Sequence, residues 1–180
     1  METATGIDGS LGEVCFLPQF KTWKQSLEQL PAELASFEKW LFLASSKVLF
    51  GGKPGELLLL REEAFNLNLT SLLERAEKVT RTWGVLIYSF GLVPRGAKIV
   101  IYRRERVNKA LREARNTALF VQGGFSQYTL AEDFFWEITR RWKESGDFPH
   151  EIAISLGYPV KDVVGYLGLS PLQYYGSYGW

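Results

Sequence analysis

The one histidine of this chain, His150, stands beside Glu151 in the run Phe148-Pro149-His150-Glu151-Ile152. An imidazole next to a carboxylate is a minimal pair for acid–base chemistry near neutral pH, and it can equally hold a polar ligand. Further on, Tyr158 places a phenol in a Gly157-Tyr158-Pro159 corner. Lys53 places an ammonium in a second glycine-rich corner, Gly51-Gly52-Lys53-Pro54-Gly55. Lys53, His150, Glu151 and Tyr158 are therefore the candidate ligand-binding residues, with His150 and Glu151 the candidate catalytic pair. Residues of these types gather at two glycine-punctuated corners rather than along apolar stripes, so a shared pocket is expected.

Each feature also has a plainer reading. Pro149 suits the first turn of a helix over residues 150–156. The positive end of that helix would favour a neutral imidazole at His150, which can hold the corner together by an internal hydrogen bond. The glycine-rich loop departs from a phosphate-binding loop: it follows a helix, and Pro54 removes an amide donor where a serine or threonine belongs. Cys15 and His150 are each the single residue of their kind, so a Cys/His zinc site is excluded, and no acidic cluster with ligand spacing suggests another metal. Cys15 has no basic neighbour to lower its pKa. Whether a cofactor is bound stays unknown at this point.

The elements that would carry these residues follow from spacing. Trp23, Leu27 and Leu30 recur at helical intervals, and Pro31 opens a second helix with Leu34, Phe37, Leu41 and Ala44 on one face. Leu57 to Leu60 read as a short buried strand or the start of a helix. A helix is expected from about Thr70, its end blurred by Gly84 and the β-rich Val85-Leu86-Ile87-Tyr88. Arg95-Gly96 turns the chain into a strand over 97–103. Val107, Ala110, Leu111, Ala114 and Ala118 mark a helix over 105–118. Thr129 and Glu132 suggest a capping box ahead of Leu130, Phe134, Ile138 and Trp142, with Gly146 as the stop. Residues 148–168 read as two short helices joined by the Gly157-Tyr158-Pro159 corner. The resulting fold class is α+β and mostly helical. It is one domain over 1–180, with 1–12 mobile and a small sheet from strands near 56–61 and 97–103. The aromatic tail, 172–180, could add an edge strand.

A chain of 180 residues with almost half of them apolar can form a core without a disulfide or metal staple. Its net charge of +1 predicts no strong pull toward nucleic acid or anionic membrane. The N-terminus lacks the features of a signal peptide, and no apolar run is long enough to span a bilayer. The basic cluster Lys98, Arg103, Arg104, Arg106, Lys109, Arg112 and Arg115 reads first as a solvated face. The 148–168 unit has helix-turn-helix spacing, Ala153, Gly157 and Val163. Its second helix, however, offers Lys161, Asp162 and valines instead of base-reading side chains. Nucleic acid is thereby disfavoured as a partner.

The motif Phe148-Pro149-His150-Glu151-Ile152, then Leu156-Gly157-Tyr158-Pro159, then Asp162-Val163 and Gly165, resembles the signature of a bacterial family, domain of unknown function 3793. Lys47 to Leu57 is similar to that family's early Leu-x-Gly-x-Lys motif, Lys98 to Arg103 to its central strand, and Tyr174 to Tyr178 to its aromatic ending. The resemblance implies a cytoplasmic protein of mostly anaerobic bacteria and carries no activity with it. Ser45-Ser46 stand where the family often has a cysteine, so chemistry based on that thiol could not operate here.

Three function classes follow. The first is a non-enzymatic ligand-binding or adaptor domain, taking a small molecule or protein at Lys53, His150, Glu151 and Tyr158. The second is an enzyme using His150 and Glu151 for proton transfer, which requires an open cleft at the imidazole. The third is a nucleic-acid binder, which heparin retention lost on removing Arg106, Lys109 and Arg112 would reveal.

Overall fold

The computed structural model describes residue 18 and residues 20–168. Cys15, the 1–12 segment and the aromatic tail with its possible edge strand lie outside the described residues. A helical stretch over 20–26 leads through a 3-10 turn, Leu27–Gln29, into α1 (Ala32–Leu49). Pro31 sits just ahead of α1, and its carbonyl accepts the Ala35 N–H. Strand β1 (Gly55–Leu60) follows the glycine-rich loop. Helix α2 (Leu69–Thr82) starts one residue earlier than expected, because the Asn68 side chain caps it by accepting the Ser71 N–H at 2.9 Å.

The β-rich run after Gly84 is a full strand, β2 (Leu86–Val93), and it forms a hairpin with β3 (Gly96–Tyr102). The sheet order is β1-β3-β2, with both neighbours antiparallel to β3. The expected pairing of the two sequence-predicted strands is present, with Leu57 opposite Val100 and Leu58 opposite Ile99. A register shift between Ser89 and Gly91 places a bulge at Phe90.

Both faces of the sheet are covered, so its strands read as continuous apolar runs rather than as an alternation. On one face Ile99, Ile101 and Leu60 meet Phe37, Leu41, Val48, Leu72, Val79 and Trp83 from α1 and α2 and the segment beyond. On the other, Val100, Tyr102 and Phe90 meet the later helices. These are α3 (Arg104–Ala114), α4 (Ala118–Gln122), α5 (Ala131–Ser145), α6 (Ile152–Ser155) and α7 (Val160–Tyr166). The molecule is a mostly helical α+β domain with a three-stranded sheet between two helical layers.

Two local expectations change. The helix predicted over 105–118 divides at Thr117, whose N–H and hydroxyl both bond the Ala114 carbonyl, and Ala118 opens α4. The capping box at Thr129 does not form. Instead the Asn108 Oδ1 of α3 accepts the Ala131 N–H at 2.7 Å, and Glu132 turns to Arg104 and Tyr102. A tertiary cap thus replaces the local one. Gly146 ends α5 as its position predicts.

Candidate functional site

The two glycine-rich corners come together. Helix α6 closes in a Schellman arrangement: Tyr158 N–H bonds the Ala153 carbonyl at 3.1 Å and Gly157 N–H the Ile154 carbonyl at 3.0 Å. Gly157 has φ +86°, and a Cβ there would stand 2.7 Å from Pro54 Cδ. A Cβ at Gly55 would stand 2.9 Å from the Ser155 carbonyl oxygen. Gly157 therefore lies against the Pro54 ring and Gly55 against the Ser155 carbonyl, approaches that leave no room for a Cβ. The loop is further held by Lys53 N–H to the Lys47 carbonyl and by Arg103 N–H to the Pro54 carbonyl.

At this junction the Lys53 ammonium lies 5.4 Å from the Tyr158 ring centroid and bonds the Glu56 carboxylate at 2.6 Å. Two grooves border it. One, of about 440 Å³, is lined by Lys47, Lys53 and Leu156 among others. The second, of about 510 Å³, is lined by Arg106, Lys109, Glu113 and Val160 among others. Both share Gly52, Pro54, Gly157 and Tyr158.

The structure thus brings Lys53 and Tyr158 into contact, while His150 and Glu151 line neither groove. His150 precedes α6 in a turn instead of standing within a helix that runs to residue 156, and a four-residue helix exerts little dipole on it. Its imidazole is exposed and meets the Tyr166 ring edge-on, centroids 5.0 Å apart. Among the described residues the ring makes no hydrogen bond. Glu151 is half-buried, with Oε1 3.3 Å from where a Cβ on Gly123 would stand. His150 is accessible to solvent but stands in neither groove.

The basic cluster divides: Arg104, Lys109, Arg112 and Arg115 are exposed, as a solvated face predicts, while Lys98, Arg103 and Arg106 are partly buried. Arg103 donates from Nε to the Val48 carbonyl, from Nη2 to that of Leu49 and from Nη1 to that of Gly84, and Arg106 adds a bond to Val48 at 3.1 Å. Two guanidinium groups therefore serve the exposed carbonyl end of α1. Arg104 pairs with Glu132, and Lys109 lies 3.9 Å from Glu113. The Lys98 ammonium rests over the Phe148 and Trp142 rings, 4.1 and 5.0 Å from their centroids, and burial lowers its pKa. Arg112 and Arg115 are exposed.

Two acids escaped the sequence reading. Glu38 and Glu137 are buried on the core faces of α1 and α5. Glu38 stands between Leu34 and Leu41, and Glu137 between Phe134 and Ile138, each at an apolar spacing. That displacement of a carboxylate into an apolar stripe was the available signal. Glu137 holds Arg140 and Arg141, and Arg141 in turn bonds the Gly123 and Gly124 carbonyls with its guanidinium carbon 3.9 Å from the Phe125 ring centroid. The Arg140 hydrogen bond, seconded by Arg141 and Tyr128 and opposed by burial, holds the Glu137 carboxyl down to about 2. Ser45 is fully buried and donates to the Leu41 carbonyl at 2.6 Å.

No group of three or more His, Cys, Asp and Glu among the described residues is placed to hold a metal ion. No described helix is long and apolar enough to cross a membrane. Fold and corner together define a mostly helical α+β domain with a cation-bordered double groove. The chain belongs to the family described as Protein of unknown function (DUF3793), whose model matches residues 41–180. No curated protein and no solved structure matches the chain.

Proposed function

We infer that this chain is a non-enzymatic binding or adaptor domain, cytoplasmic and bacterial, that takes an anionic ligand across the corner between residues 51–55 and 156–159. The observation that supports this reading is the convergence of two grooves on Gly52, Pro54, Gly157 and Tyr158 with the Lys53 ammonium beside them. Lys47, Lys53, Arg106 and Lys109 line these grooves, against Glu113 in the lining and Glu56, which pairs with Lys53 beside it. That excess favours a phosphate- or carboxylate-bearing small molecule or an acidic segment of a partner protein. Gly52, with nothing within 4 Å of where a Cβ would stand, leaves backbone within reach of a ligand.

The test is a chemical-shift titration with ATP, citrate and hexaglutamate, following the amides of Gly52, Gly157 and Tyr158. Saturable shifts with at least one probe, weakened in Lys53→Ala and Lys109→Ala, support the reading. Absence of saturation with all three, or equal binding by both variants, removes it. A second reading, proton transfer at His150 and Glu151, draws on the exposure of the imidazole. It predicts that ligand-induced shifts centre on His150 and not on Gly52.

A further inference from the structure

On the opposite helical layer, a groove of about 530 Å³ opens between the 20–26 stretch, α1 and α2. One of its lining residues is Glu38, whose side chain is fully buried. A carboxylate removed from water costs several kcal/mol unless its oxygens are compensated. Each oxygen here has one donor: Trp23 Nε1 reaches Oε2 at 2.6 Å, and Arg75 Nε reaches Oε1. The indole fixes the carboxylate, and the carboxylate fixes the guanidinium.

This chain of bonds leaves Arg75 with capacity to spare. A guanidinium carries five N–H donors in a rigid fork. Glu38 engages Arg75 through Nε, and among the described residues neither Nη has an acceptor. A pair serving packing alone is better made bidentate, with both members satisfied. The Arg75 side chain retains 24% exposure while lining the groove. Lys78, one turn along α2, lines it too, is exposed, and has no anionic partner among the described residues. Arg81 also borders the groove and is shared with Glu77. Glu38, the one acid among the described lining residues, is already engaged at both oxygens. The remaining lining is Trp23, 8% exposed with its ring packed against Phe20, Phe42 and Trp83, together with Val79 and the hydroxyl residues Thr22, Ser26 and Thr82.

We propose that this groove is a second binding site, for a small oxyanion carried on an aromatic or apolar body. Arg75 is the two-pronged anchor for a carboxylate or phosphate ester, Lys78 supplies the second cation, and Val79 with the exposed part of Trp23 forms the wall for the body. Trp23 and Glu38 precede the residues matched by the family model, so the site draws on a part of the chain outside that span. It shares no residue with the Lys53 corner and stands or falls separately.

The experiment follows the Trp23 indole N–H resonance, already bonded to Glu38, during titration with phenyl phosphate, benzoate and inorganic phosphate. Concentrations run to about 10 mM, since millimolar binding needs only about 4 kcal/mol. The expected result is a saturable shift with phenyl phosphate or benzoate, whichever oxyanion fits, and weaker binding of inorganic phosphate, which lacks the body. Affinity should fall at least about tenfold in Arg75→Lys, which keeps the charge but not the fork. Lys78→Ala, at an exposed position, should weaken binding in the same direction and keeps the question open where Arg75→Lys fails to fold. No saturable shift in the native protein, or undiminished affinity in the folded variants, overturns the proposal.

Discussion

Glu137 is 2% exposed and still ionised, because two guanidinium groups and a phenol meet its carboxylate. Its folded pKa of about 2 lies below the ordinary 4.5. The native state therefore binds this proton less readily than the unfolded chain does. The stability so gained is complete above about pH 5 and disappears as pH falls toward 2, a loss of up to about 3 kcal/mol. Acid titration of unfolding free energy should show this slope between pH 4.5 and 2 in the native protein and a flatter profile in Glu137→Gln. Two backbone positions give predictions of opposite sign. Arg95 occupies the β2–β3 turn at φ +69°, a conformation that glycine adopts without strain. Arg95→Gly should raise stability by about 0.5–1 kcal/mol, seen as a higher urea midpoint at unchanged slope. Gly157→Ala combines a positive φ with a 2.7 Å approach to Pro54 and should cost about 1–3 kcal/mol by the same measurement.

At the scale of elements, the C-terminal end of α1 is held by side chains from beyond the sheet. Arg103 and Arg106 together bond the Val48, Leu49 and Gly84 carbonyls. Arg103→Ala should destabilise the protein by about 1.5–3 kcal/mol, since hydrogen bonds from a charged donor are lost and carbonyls at a helix end lose their partners. Hydrogen exchange should localise the opening to the last turn of α1 and the 51–55 loop. The sequence spacing could not reveal this, because Arg103 and Arg106 lie more than fifty residues from Val48 and Leu49. The same limit explains the cap of α5: Thr129 and Glu132 have the spacing of a capping box, yet Asn108 from another helix takes the position. The helix-corner-helix of residues 148–168 was legible, since Gly157 and Pro159 act through local backbone preferences that distance does not alter. The strand character of Leu57–Leu60 was open in the sequence. Pairing with β3 and burial on both faces decide it.

For the whole molecule, the three-stranded sheet separates two helical layers and, with them, two groove systems. The Lys53–Tyr158 part of the candidate site was visible in the sequence because unusual residue types mark it. The distribution of His150 and Glu151 relative to the grooves was not, because that depends on how α6 docks against β1 and α3. The Glu38 groove is not legible in the sequence, since its carboxylate sits within an apolar stripe and its two partners, Trp23 and Arg75, come from two other segments. The central claim, an anionic ligand at the corner, is tested most directly by native mass spectrometry of the protein purified from its own host. The native chain should carry a co-purifying anionic species that is absent from Lys53→Ala. The bare protein mass for both, or the same adduct on both, would contradict it.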